Sequence, residues 1–399
     1  MKQILVIPDG AADEPCPERG GRTALELART PVLDEMARTG RLGLAVTVPA
    51  GMQPGSDVAN LSLLGYDPGV GYTGRAALEA AALGVEIPAG DAAFRANLVT
   101  VTDDNLMDDY SAGHISTEEG RELIGQLNQD LGIEGIKLFP GVAYRHLCLM
   151  EAAAASMPEC TPPHDIMGKD ITEYLPRGQF SSWVLEVERT SRELLPGYEA
   201  NLKRVAEGKK PANSLWLWGG ATTMSLDSFA ARQGLASAGL ITAVDLLRGI
   251  AKLAGMDIIS VPGATGYLDT NYAGKGRAAL DYIYQHDFVA IHVEAPDEAG
   301  HNGDLDGKIK AIEDIDRHIL APLHAMARHY GDWRLMVAPD HPTPVVRRSH
   351  NSNPVPYVLW GNGFAGNGGA AFSEAEAAKV GGEPVNAATL LPEMIRTAG

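Results

Sequence analysis

Cysteine is scarce: the 399-residue chain has three, Cys16, Cys148 and Cys160, and no CxxC spacing. An odd count without paired spacing offers neither a disulfide framework nor a thiolate metal site, and a reducing cytoplasm is the expected compartment. Long apolar runs are missing too, since no window approaches the roughly 18 uninterrupted apolar residues that a membrane span needs. The opening MKQILVIPDGAADEP carries a short apolar run, but Pro8 and Asp9 interrupt it too early for a signal-peptide core, and it reads as a buried strand. Basic residues are in deficit, 33 against 51 acidic ones, for a formal charge of -18. Nucleic-acid phosphates demand dense Lys and Arg, so that class of partner is excluded. There is no internal repeat. The one biased segment, GFAGNGGAAFSEAEAAKVGG, reads as a loop and a short polar helix.

What is present is enough apolar material, 45% of the residues, for a full core, arranged as one large α/β domain or as a core carrying a second domain. Short continuous apolar runs recur at Ile4 to Ile7, Phe288 to Val293, Leu335 to Ala338 and Tyr357 to Trp360. Continuous rather than alternating hydrophobicity marks strands buried on both faces, as in a mostly parallel sheet. Helical spacing at 30–39, 243–254 and 304–329 completes the pattern of a doubly wound α/β sheet. The middle of the chain differs. Strands are expected at 94–102, 141–150 and 183–188 and helices at 117–131 and 190–206. Possible linkers at 84–90 and at EGKKPAN, 207–213, bound this block. The predicted organisation is an inserted α+β domain at 86–211 within a discontinuous core of 1–85 and 212–399.

The chemistry-bearing residues follow the predicted strands, where ligands gather in open α/β sheets. Asp9 follows ILVIP, Asp297 follows FVAIHVEAP, and Asp340 follows RLMVAP. Converging carboxylates repel one another unless cations neutralise them. His301 sits four residues beyond Asp297, His341 directly follows Asp340, and His350 precedes the strand PVPYVLW. Mixed Asp and His sets suit Zn2+, Mn2+ or related ions, and two ions about 4 Å apart can clamp an in-line phosphoryl transfer. Ser56 in GMQPGSDVANLSLLGYDP is the nucleophile candidate, with Gly55 shaping the turn and the following helix aiming its dipole at a phosphate. Each element alone has a plainer reading: Asp9 as a turn residue, Ser56 as a helix N-cap, His350 as a surface histidine. Their joint occurrence in this order argues for a metal site.

The segments IPDGAAD, PGSDVANLSLLGYDP, APDEAGHNGD and DHPTPVVRRSHNSNPVPY resemble those of the cofactor-independent phosphoglycerate mutases of archaeal type, in the alkaline phosphatase superfamily, essentially from end to end. The resemblance implies an alkaline phosphatase-like core with an inserted substrate-binding cap. It implies one divalent metal among Asp9, Ser56, Asp340 and His341 and a second among Asp297, His301 and His350, with Mn2+ or Zn2+ ahead of Mg2+ or Co2+. Asn60 stands where many relatives have histidine and receives no catalytic role. In the cap, Arg95, Arg145, His164 and Asp165, with Asp109 and His114, match the family pattern as substrate contacts; for any one arginine, solvated surface charge is the competing reading. The activity implied is interconversion of 3-phosphoglycerate and 2-phosphoglycerate through phosphoserine, without 2,3-bisphosphoglycerate. KKPANSLWLWG and VPGATGYLDTNY also resemble a bacterial subgroup proposed to act as homoserine kinases. Gly274, Lys275 and Gly276 lack the following Ser or Thr of a P-loop, so such a kinase, taking ATP and homoserine, would route phosphate through Ser56. A phosphomonoesterase is the third reading.

Overall fold

The computed structural model describes residues 1–397, with thirteen strands: β1 (Lys2–Pro8), β2 (Arg41–Val46), β3 (Ala92–Val101), β4 (Met107–Asp109), β5 (Ile136–Val142), β6 (Arg145–Met150), β7 (Ser214–Ala221), β8 (Ala238–Ile241), β9 (Asp257–Ile259), β10 (Phe288–Val293), β11 (Trp333–Val337), β12 (Val355–Gly361) and β13 (Val385–Asn386). Contacts along the chain divide it into two compact units, Met1–Tyr72 with the chain from Ser225 onward, and Thr73–Met224.

The first unit is mixed α/β around an eight-stranded sheet ordered β13-β2-β12-β11-β1-β10-β8-β9. From β11 to β9 every pairing is parallel. β12 is antiparallel to both neighbours, and β13 is parallel to β2, so β12 alone runs against the rest. β10 and β11 are buried at every residue and β1 at all but its first. That is why these strands read as near-continuous apolar runs: helices cover the sheet and leave neither face to water. The helical spacing at 304–329 resolves into helices Leu305–Ile315 and Ala321–Tyr330 joined by a π-helical turn, Asp316–Leu320. In the biased C-terminal segment a helix spans Glu374–Val380, capped by the Ser373 side chain.

The second unit is an antiparallel sheet in which β3 pairs with β4, β6 and β7, and β5 pairs with β6. β7 therefore places 214–221, beyond the expected boundary at 211, in this sheet, and the Arg75–Leu83 helix packs on β3 and β7. The stretch 183–188, expected as a strand, lies inside helix Ser181–Leu194. Its buried residues Val184, Val187, Glu188 and Ser191 follow the helical period, which a six-residue window of mixed apolar and polar residues does not reveal. The helix expected over 190–206 is split at Leu195–Gly197, where Pro196 cannot continue the ladder of amide donors. Among the described residues no helix is long and apolar enough to cross a membrane.

Candidate metal centre

Strand direction alone collects the candidate residues. Since β1, β2, β10 and β11 run the same way, their carboxyl ends share one edge of the sheet. Asp9 comes directly after β1, Asp340 shortly after β11, and Asp297 in the Ala295–Asn302 helix that leaves β10. β12 runs oppositely, so the chain before Val355, which includes His350, begins at that same edge. The Ser56–Leu63 helix follows the carboxyl end of β2.

Two groups of donor atoms result. In the first, Asp297 and His301 stand four apart on one helix face. His301 Nε2 lies 3.3 Å from Asp297 Oδ2, His350 Nε2 lies 3.3 Å from Asp297 Oδ1, and the two Nε2 atoms are 2.9 Å apart. His301 Nδ1 donates to the Arg348 carbonyl at 3.0 Å, which fixes the ring with Nε2 inward. Desolvation opposes charge on both partners, yet hydrogen bonds from His301 and His350 hold Asp297 well below the usual carboxylate range, and Asp297 raises His301 to about 9. This carboxylate thus draws positive charge to itself.

In the second group, Asp9, Asp340 and His341 are fully buried. His341 Nε2 lies 3.6 Å from Asp9 Oδ1, 3.5 Å from Asp340 Oδ2 and 3.2 Å from Ser56 Oγ. Thr343 links the groups: its hydroxyl donates to Asp297 Oδ1 and lies 3.2 Å from His341 Nδ1. Having spent its hydrogen on Asp297, the hydroxyl can only accept from Nδ1, which leaves the His341 Nε2 lone pair facing Asp9, Asp340 and Ser56. Asp340 Oδ1 accepts the Gly10 and His341 amides at 3.0 and 2.8 Å, and Asn60 Nδ2 donates to Asp340 Oδ2 at 2.8 Å and to the Ser56 carbonyl at 2.8 Å. Burial, then the charges of Asp340, Glu294 and Asp297, raise the Asp9 carboxyl well above its usual value, and its Oδ1 is buried without a hydrogen-bond partner. Buried carboxylate oxygens and imidazole lone pairs of this kind fit a divalent cation of hard to borderline character. Within each group the candidate ligand atoms all lie within 4.8 Å of one another.

Ser56 is the first residue of its helix and is buried. The Gly55 beside it is extended, φ -179, so no left-handed turn is involved; its need is room, because a Cβ there would lie 2.8 Å from Asp57 Oδ1. Asp57 is anchored in turn by the Tyr72 hydroxyl.

Sequence reasoning passed over several residues of this site. Asn60, given no role, is fully buried and holds Asp340. His292 and Glu294 form a third donor group with Asp9. Burial, then the Asp297 charge, raises Glu294 to about 8, and burial lowers His292 to about 3. Lys275, also buried, donates to the His292 carbonyl at 2.9 Å. The missed signal was a histidine inside an otherwise apolar strand, FVAIHV, where a polar ring has to be used.

The remaining candidates lie in the second unit. Arg95 is buried on β3, ion-paired with Glu79 at 2.8 Å and stacked 4.0 Å over the Trp218 ring. Desolvation lowers it to about 10 against the pull of Glu79. His164 meets the same Trp218 ring edge-on at 5.2 Å and that of Tyr110 at 6.1 Å. Tyr110 packs on Tyr144, over whose ring Arg145 lies at 5.5 Å. Arg95, His164 and Arg145 are thereby joined through aromatic rings. Asp165 is exposed, 3.8 Å from His164 Nε2. Asp109 accepts from the Ser111 amide and hydroxyl at 2.8 and 2.7 Å, and His114 occupies a left-handed turn position, φ 52.

A family model for 2,3-bisphosphoglycerate-independent phosphoglycerate mutase matches residues 37–201. Over 398 residues the chain is 48% identical to a probable 2,3-bisphosphoglycerate-independent phosphoglycerate mutase of Geobacter sulfurreducens, with 99% of each covered. It is 49% identical over 361 residues to such a mutase of Methanosarcina mazei, with 90% of each covered. Among solved structures, a Pyrococcus horikoshii protein matches with a TM-score of 0.80 at 27% identity, over 100% of this chain and 98% of that one. A cofactor-independent phosphoglycerate mutase from Thermoplasma acidophilum matches with a TM-score of 0.64 at 27% identity, over 100% of both.

Proposed function

Because the chain belongs to the 2,3-bisphosphoglycerate-independent phosphoglycerate mutases, we propose that it interconverts 3-phosphoglycerate and 2-phosphoglycerate through a phosphoserine at Ser56, without 2,3-bisphosphoglycerate. The observation that carries the residue assignment is the placing of Ser56 Oγ 3.2 Å from His341 Nε2, beside buried Asp9 and Asp340. We assign one divalent cation to Asp9, Ser56, Asp340 and His341 and a second to Asp297, His301 and His350, with Mn2+ and Zn2+ ahead of Mg2+ and Co2+ for this donor set. Bound there, the cations would lower the pKa of the serine hydroxyl and offset the charge of the phosphate.

The protein's own groups supply the rest. Ser56 opens an eight-residue helix whose amide dipole favours an incoming phosphate. Its oxygen bonds to phosphorus as the bond from phosphorus to the C3 oxygen breaks; the proton lost by the serine hydroxyl is matched by one gained at the departing C3 oxygen. Attack by the C2 oxygen on phosphoserine then reverses the exchange and restores the hydroxyl. Asn60 and the Gly10 amide hold Asp340 throughout. Substrate recognition is assigned to Arg95, Arg145 and His164, with Asp109, His114 and Asp165 as further contacts; guanidinium forks suit carboxylate and phosphate. The cytoplasm, where unpaired thiols such as Cys16, Cys148 and Cys160 persist, is the proposed compartment.

The test is metal-loaded protein given 3-phosphoglycerate alone, with 2-phosphoglycerate read by a coupled assay and trapped phosphate located by mass spectrometry. Phosphate on another residue, full activity in Ser56→Ala, or turnover only with ATP and homoserine would refute the proposal.

A further inference from the structure

Nothing in the two-cation assignment uses His292, Thr242 or Lys275, yet all three are buried, His292 against Asp9 and the other two against His292. Thr242 Oγ1 accepts the Val244 amide at 3.1 Å and lies 3.3 Å from His292 Nδ1. A hydroxyl that accepts an N–H still has its own hydrogen to give, and Nδ1 is in reach to take it. The ring proton then sits on Nε2, which is 2.7 Å from Asp9 Oδ2. At that distance Nε2–H donates a charge-assisted hydrogen bond to the carboxylate. The backbone of His292 is fixed as well, by Lys275 Nζ on its carbonyl at 2.9 Å and by its pairing with Ile7 across β1 and β10.

We propose that His292 is a positioning residue of the metal centre: its Nε2–H engages Asp9 Oδ2, and so keeps Asp9 Oδ1 turned toward His341 Nε2, 3.6 Å away. Asp9 Oδ1 is the oxygen with no hydrogen-bond partner, which is what a carboxylate oxygen reserved for a cation looks like. The rival use of the same atoms is a third cation held by Asp9, His292 and Glu294. That use requires a bare Nε2, the form disfavoured by a Thr242 hydroxyl that donates to Nδ1.

The inference rests on Asp9 being a metal ligand, and the experiment separates the two claims. Equivalents and affinity of Mn2+ are measured by titration calorimetry and metal analysis on the full chain, for wild type, Asp9→Asn, His292→Gln, His292→Leu and Thr242→Val. Wild type is expected to bind two equivalents and Asp9→Asn one; two in Asp9→Asn would overturn the ligand reading itself. His292→Leu is expected to weaken one Mn2+ by about 10- to 100-fold. His292→Gln, whose amide nitrogen can donate where Nε2 does, should recover most of that loss, and Thr242→Val should fall between. At saturating Mn2+ the KM for 3-phosphoglycerate should stay at the wild-type value in all three, which general structural damage would not allow. Wild-type affinity in His292→Leu, or a third equivalent in wild type that His292→Gln loses, would overturn the proposal. If His292→Leu fails to fold, unchanged affinity in Thr242→Val overturns it alone.

Discussion

Replacing Gly10 by alanine would disturb the metal centre without altering any proposed ligand. Gly10 has φ 61, and a Cβ there would lie 2.6 Å from Thr343 Oγ1 and 2.7 Å from both Cα and Oδ1 of Asp297. The left-handed backbone costs a non-glycine residue about 1–2 kcal/mol. The Thr343 hydroxyl can rotate away, but the Asp297 Cα belongs to a packed helix, so relief requires a backbone shift of the overpacking kind, about 1–3 kcal/mol. The expected loss is therefore about 2–5 kcal/mol, read as the shift in urea midpoint multiplied by the m value. Gly20→Ala is the control: it lies in the same unit with φ 70, and nothing lies within 4 Å of its Cβ, so it carries the backbone cost alone. Mn2+ affinity should fall more than about tenfold in Gly10→Ala, because Thr343 and Asp297 move together, and should be unchanged in Gly20→Ala. Equal destabilisation and equal affinity in the two variants would refute the reasoning.

Asn60→Ala removes the donor to Asp340 Oδ2; an expected cost of about 1–3 kcal/mol in stability and about 10- to 100-fold in kcat is checked by melts and steady-state kinetics, and wild-type kcat would contradict it. Arg95→Lys keeps the charge but loses the planar stack on Trp218 and the directed pairing with Glu79, so KM for 3-phosphoglycerate should rise about tenfold or more with a smaller change in kcat; an unchanged KM would remove Arg95 from substrate recognition. In the second unit burial raises Glu188 from 4.5 to about 8. A carboxyl whose folded pKa is raised binds a proton that the unfolded chain has released, so its stability contribution is full below pH 4.5 and falls as pH rises toward 8. Glu188→Gln should therefore be more stable relative to wild type at pH 8.5 than at pH 4.5, and urea midpoints showing no such pH-dependent difference would count against it.

That the candidate residues gather into two groups was legible because the signal is topological as well as chemical. Asp9, Asp297 and Asp340 each follow a continuous apolar run, and strands buried on both faces lie parallel with their carboxyl ends at one edge. The direction of β12, which brings His350 to that edge, could not be read from PVPYVLW, because periodicity carries no strand sense. Helix Ser181–Leu194 was misread because WVLEVE offers six residues to a pattern that needs eleven or more. His292 and Asn60 were invisible for another reason: their work is a hydrogen bond to a residue far away in sequence, and no local spacing announces it.

β1 has a consequence for how the chain comes to be folded. Its partners, β10 and β11, lie at 288–293 and 333–337. A ribosome adding roughly 5–20 residues per second delivers them only after the whole second unit has been made. Until then LVI and its neighbours are an apolar strand with two bare edges, while β3, β6 and β7 have one another. Sheet closure that waits on such distant partners is slow and exposed to aggregation. In pulsed hydrogen exchange during refolding of the full chain, amides of β3 and β6 should gain protection before those of β1, and simultaneous protection would speak against this order. The strand that leads into Asp9 would then be among the last to be secured, and the chain would gain its proposed capacity for metal only at the close of folding.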